Sequence, residues 1–148
     1  MPYVTTIPVV FPEEPAVVYA ALLDLASYPL WNSGMKQIST TQPMREGLQY
    51  ETETVVAGRV NRATITVVRL VPNEEIELIS HGGIIVYRAD YKLVATGPRQ
   101  TRVTCRLKFE FRNFMLELTR STIESMARAR IGADLAALRA LLADHQDD

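Results

Sequence analysis

The sequence holds a single cysteine, Cys105, among 148 residues, so an internal disulfide framework is excluded and a reducing compartment is expected. Net charge is also scarce. The formal sum is −1, which offers no long-range pull toward nucleic acid or an anionic membrane, and no nucleic-acid partner is expected. No apolar run approaches the roughly 20 residues that span a bilayer, so integral membrane association is not expected either. The segment from Met1 to Thr6 lacks the basic start and apolar stretch of a secretory signal, which makes the cytoplasm the expected location. Histidine is limited to His81 and His145, and neither forms a metal-ligand spacing with Cys105; no metal and no cofactor are expected. Gly82-Gly83 is a turn without a following helix, so there is no phosphate-binding loop.

What is present is the composition of one globular domain over 1–148, with 143–148 expected as a frayed polar tail. Tyr3 to Phe11 is rich in β-branched residues and predicts a strand with Ile7, Val9 and Phe11 on one face. Pro12 ends it. Glu13 and Glu14 are then expected in a first helical turn, followed by Val18, Ala21, Leu22 and Leu25 at helical spacing. Ser27 to Gly34 predicts a short second helix or tight turn. Six strands are expected near 35–42, 48–57, 60–71, 75–80, 84–95 and 101–112, with breaks too short for crossover helices, hence antiparallel neighbours. From about Met115 to Leu142 the period becomes helical, with Leu116, Ile123, Ala127, Ile131, Leu135, Leu138 and Leu142 on one side.

The class is α+β, with the order β-α-α-β6-α: a curved seven-stranded antiparallel sheet around a long C-terminal helix. A twisted sheet and a straight helix do not meet everywhere, and a pocket between them is expected. Alternation directs Tyr50, Thr52, Thr54, Tyr87, Ala89, Tyr91 and Phe109 inward, and Ile123 and Met126 are expected on the inner surface of the helix. Trp31 either gates the pocket mouth or seals the core. The strand 60–71 allows two registers. One turns Arg62, Thr64 and Thr66 inward; the preferred one turns Ala63, Ile65 and Val67 inward and leaves Arg69 at the rim. An inward arginine would suit a carboxylate or enolate on the ligand. His81 is the single candidate for acid–base work, weighed against a solvated turn residue. The outward Arg88, Lys92, Arg102, Arg106, Lys108 and Arg112 are expected to pair across strands with Glu75, Glu77, Asp90 and Glu110, ahead of docking to an acidic partner.

Several segments resemble the START and birch-pollen-allergen superfamily (SRPBCC), and within it the polyketide cyclase/dehydrase-like branch. They are Ile7, Pro12 to Tyr19, Leu23 to Asn32, Val71-Pro72 with the strand after it, and Gly97 to Thr104. The resemblance implies a helix-grip fold with a deep pocket for lipids, sterols, quinones or polyketides. It carries no shared catalytic residue set. The expected function is therefore binding or carriage of a hydrophobic or amphipathic small molecule. The alternatives are a cyclase or dehydratase using the same pocket and a protein-interaction module with a vestigial cavity. A homodimer is allowed by the sequence.

Overall fold

The computed structural model describes residues 3–33, 35–56, 58–83, 85–111 and 120–146. Strand β1 (Tyr3–Phe11) buries Thr5, Ile7 and Phe11 on one face. It lies at an edge of the sheet, where Pro8 leaves no central ladder position without a donor. Helix α1 (Pro15–Leu23) begins at a proline, whose missing N–H is not needed in a first turn. It starts later than the acidic pair suggests. Glu14 is the cap residue and Glu13 lies outside the helix, only 2% exposed, with both carboxylate oxygens lacking a hydrogen-bond partner among the described residues. A 3-10 turn (Leu25–Ser27) and one helical turn, α2 (Tyr28–Trp31), lead to the remaining strands.

These are β2 (Met35–Ile38), β3 (Gln49–Val56), β4 (Arg59–Val71), β5 (Glu75–His81), β6 (Ile85–Gly97) and β7 (Gln100–Phe111). With β1 they form one seven-stranded antiparallel sheet in the order β1-β7-β6-β5-β4-β3-β2. Irregularities interrupt the ladder between Met35 and Gln37, Val67 and Arg69, and Ala95 and Gly97. Such bulges bend a strand and sharpen its twist, and the sheet curls into a half-barrel. Strand β2 stops at Ile38, short of the expected 42, because the chain returns to α1: the Met44 N–H donates to the Leu23 carbonyl (2.9 Å) and the Met44 side chain is buried.

Helix α3 (Arg120–Gln146) lies in the hollow of the sheet and continues past the expected end at Leu142. The expected start at Met115, with Leu116, falls outside the described residues. Arginines on α3 fasten it to the sheet: Arg128 Nε donates to Thr5 Oγ1 (3.1 Å), Arg139 Nη1 to the Val10 carbonyl (3.1 Å) and Arg130 Nη1 to the Val55 carbonyl (2.6 Å). The main core lies under the C-terminal half of α3, where Leu135 and Leu138 pack with Phe11, Val18, Leu22 and Leu25. Burying each such leucine contributes about 1.5–3 kcal/mol. A smaller cluster of Ile85, Phe109 and Ile123 lies under the N-terminal half. On the outer face the expected cross-strand pairing is seen in Arg88–Glu77 (2.9 Å), and Arg62 makes a further pair with Glu53 (3.3 Å). Among the described residues no helix is long and apolar enough to cross a membrane.

Candidate functional site

Between the sheet and the N-terminal half of α3 lies a cavity of about 450 Å³. Its floor is made by inward positions of the strands: Tyr50, Thr52 and Thr54 from β3, Ile65 from β4, Leu78 from β5, Tyr87, Ala89 and Tyr91 from β6, and Cys105, Leu107 and Phe109 from β7. Helix α3 supplies the roof with Ile123, Met126, Ala127, Arg130, Ile131 and Asp134, and Tyr28, Asn32 and Met35 close one side. Small side chains on both the sheet and the helix leave room there. Ala89 sits between two tyrosines, and Ala127 lies on the part of the helix above.

The polar groups differ in how they are satisfied. The Tyr28 hydroxyl donates to the Leu22 carbonyl (2.7 Å), and Tyr91 lies directly across the ladder from Cys105. The Tyr50 and Tyr87 hydroxyls have no hydrogen bond of this kind among the described residues. Burial pushes the Tyr28, Tyr50 and Tyr91 phenols well above their ordinary value. Burial pushes Tyr87 up to about 12, with the Arg130 charge acting in the opposite direction. The Cys105 thiol, buried as its place in β7 predicts, is likewise pushed up to about 12 by burial. At neutral pH all five are protonated, so the wall offers hydrogen-bond donors rather than bases or nucleophiles.

The charged pair in the roof is held in a defined arrangement. Asp134, 7% exposed, accepts from the Ser33 N–H (3.1 Å) and the Ser33 hydroxyl (2.8 Å) through Oδ1. Its Oδ2 lies 4.0 Å from Arg130 Nε, one helical turn back. Arg130 bonds Val55 through Nη1. Neither residue is among the sequence candidates. The signal is present, since 123, 127, 130, 131, 134, 135 and 138 follow one helical stripe, and Arg130 and Asp134 interrupt its apolar run.

Of the sequence candidates, Tyr50, Thr52, Tyr87, Tyr91, Phe109, Ile123 and Met126 come together on the cavity wall. Three do not. Arg69 is a correction: Val68 is the extra residue of the β4 bulge, so the alternation reverses after it, and Arg69 points outward within 3.9 Å of Glu75. The alternative, Arg62, is also outside, paired with Glu53. Trp31 is no gate: it is buried, donates from Nε1 to Ser27 Oγ (3.2 Å), and packs on Tyr28 with ring centroids 4.6 Å apart. His81 is exposed at the end of β5, in a groove of about 720 Å³ that also takes in Lys36, Glu51, Glu53 and Arg62. That groove is larger than the interior cavity but is edged by charged side chains that water already solvates, so the interior cavity is the stronger ligand site. Among the described residues no group of three or more His, Cys, Asp or Glu side chains is placed to hold a metal.

The comparisons with known proteins agree with this architecture. No curated protein matches the sequence. The ZhuI aromatase/cyclase from Streptomyces sp. R1128 superposes with a TM-score of 0.81 at 15% identity, over 95% of this chain and 93% of that one. A protein from Thermus thermophilus gives a TM-score of 0.81 at 17% identity, over 95% and 99%. Norcoclaurine synthase from Thalictrum flavum, solved with dopamine and hydroxybenzaldehyde, gives 0.73 at 10% identity, over 98% and 88%. At such identities the likeness is one of fold, and it is the helix-grip fold. The model of one family, described as polyketide cyclase / dehydrase and lipid transport, matches residues 4–143, and the chain belongs to that family.

Proposed function

We propose that this protein binds a hydrophobic or amphipathic small molecule in the cavity beneath α3 and carries or presents it without chemical change. The observation that carries the reading is the cavity itself: about 450 Å³, walled mainly by aliphatic and aromatic side chains, with a few hydrogen-bond donors directed into it. At roughly 30 Å³ per non-hydrogen atom, the volume suits a molecule of about fifteen such atoms. Removing that ligand's apolar surface from water contributes about 25 cal/mol per Å². The family description, which names lipid transport beside cyclase and dehydrase activity, supports the same class of ligand. Carriage is favoured over turnover because, among the described residues, no histidine lines the cavity, His81 lying elsewhere, and its one carboxylate, Asp134, is engaged by Ser33.

The test is a titration with fatty acids, sterols, quinones and aromatic polyketides, each followed by displacement of Nile red and by thermal unfolding. A ligand of the right class displaces the dye and raises Tm with concentration. Failure of every class on both signals overturns the proposal. Consumption of a polyketide, with product detected by mass spectrometry, replaces carriage by catalysis.

A further inference from the structure

The cavity is not uniformly apolar: among the described residues its lining includes one cation, Arg130. Arg130 lines the roof, its side chain 29% exposed, with one firm hydrogen bond and one longer ionic contact. Nη1 is fixed by the Val55 carbonyl at 2.6 Å, while Nε stands 4.0 Å from Asp134 Oδ2, close enough for attraction but too far for a hydrogen bond. A guanidinium has five N–H donors, and this one retains several for another acceptor. The Asp134 charge is drawn away from it, because Oδ1 receives both the N–H and the hydroxyl of Ser33. Tyr87, on β6, lines the same cavity and carries a second hydroxyl donor. A purely hydrocarbon ligand would leave this arrangement without a partner.

We propose, resting on the binding reading above, that the ligand is a monocarboxylate whose apolar body fills the cavity and whose carboxylate is received by Arg130, with the Tyr87 hydroxyl beside it. The planar fork of a guanidinium matches a carboxylate, and Val55 holds it in orientation before the ligand arrives. Asp134 acts as a positioning residue: it lies one helical turn from Arg130 and restrains the guanidinium through Oδ2 while its other oxygen is bound to Ser33. An uncharged analogue of equal size keeps the burial and loses only the charge-assisted bonds.

The experiment compares dodecanoate with methyl dodecanoate, by isothermal titration, on the intact chain and on Arg130→Gln. Dodecanoate has about the number of atoms the cavity accommodates. The intact protein is expected to prefer the acid by about tenfold or more, and Arg130→Gln to abolish that preference, read as the ratio of acid to ester affinity within each protein. Equal affinity for acid and ester in the intact protein overturns the carboxylate assignment and leaves the binding function standing. A preference that survives Arg130→Gln overturns the role of Arg130. If neither compound binds, the monocarboxylate assignment fails, while the binding reading stands or falls separately on the dye-displacement series with sterols, quinones and polyketides. The acid–ester comparison on the intact chain needs no variant, so it decides the carboxylate assignment even if Arg130→Gln does not fold.

Discussion

The two halves of α3 meet the sheet differently. Under the C-terminal half, Leu135 and Leu138 are each 1% exposed and interlock with residues from β1 and α1. Under the N-terminal half, Ile123 is buried but Met126 is 51% exposed, and Ala127, Arg130 and Ile131 roof a void. One helix therefore does two jobs. Large aliphatic side chains close one half, and alanines, a charged pair and a curled sheet keep the other half hollow. An apolar stripe of the correct period specifies that a helix docks. The size of the residues on the stripe decides whether the docked surface is filled.

Mutation can break or sharpen this contrast. The largest expected effect is on stability at the filled half: Leu138→Ala should cost about 2–5 kcal/mol, whereas Met126→Ala at the hollow half should stay within about 0.5 kcal/mol. Urea denaturation of both variants measures the difference, and equal costs would dissolve the contrast. Next, Ala89→Leu places extra volume where the cavity has room. It should leave stability nearly unchanged and weaken ligand binding about tenfold. A loss of about 1–3 kcal/mol, as in an overpacked core, would mean that no usable void exists there.

The smallest effect concerns Glu13, an acid at the filled end. Burial raises its pKa, and the nearby Arg139 charge offsets this only in part. The folded state therefore holds the proton more tightly than the unfolded chain. The stability contributed by the protonated group is complete below the ordinary glutamate value and is lost as pH rises through the raised folded value. Glu13→Gln removes the ionisation. It should raise Tm near pH 7 and converge with the parent near pH 4. Parallel Tm curves across that range would show that Glu13 is not the group involved.

Much of the fold is legible in the sequence because alternation is a local signal. The buried run of Thr101, Val103, Cys105 and Phe109 in β7 follows from period two alone, and so do the inward tyrosines of β6. The failures have local causes as well. Arg69 is misplaced by alternation because one inserted residue reverses it, and the apolar pair Val67-Val68 hides the insertion. Glu13 reads as helical because acidic residues before a proline resemble a first turn, although the helix begins at Pro15. Arg130 escapes a reading based on strand faces, while a cation on the apolar face of the helix carries the more direct signal. Trp31 has two readings from sequence, and only its contact with Tyr28 and Ser27 separates them.

The β4 bulge has a consequence for chain length. Val67 lies opposite Leu78 and Arg69 opposite Glu77, so Val68 alone has no counterpart across the ladder. A chain one residue shorter at that point would keep Ala63, Ile65 and Val67 inside and Leu70 beside Ile76, with Arg69 still facing water. A deletion elsewhere in the strand would turn some of those residues over unless the spare residue moved to compensate. Position 68 is thus where β4 can lose a residue and still present the same surface to whatever lies under the helix.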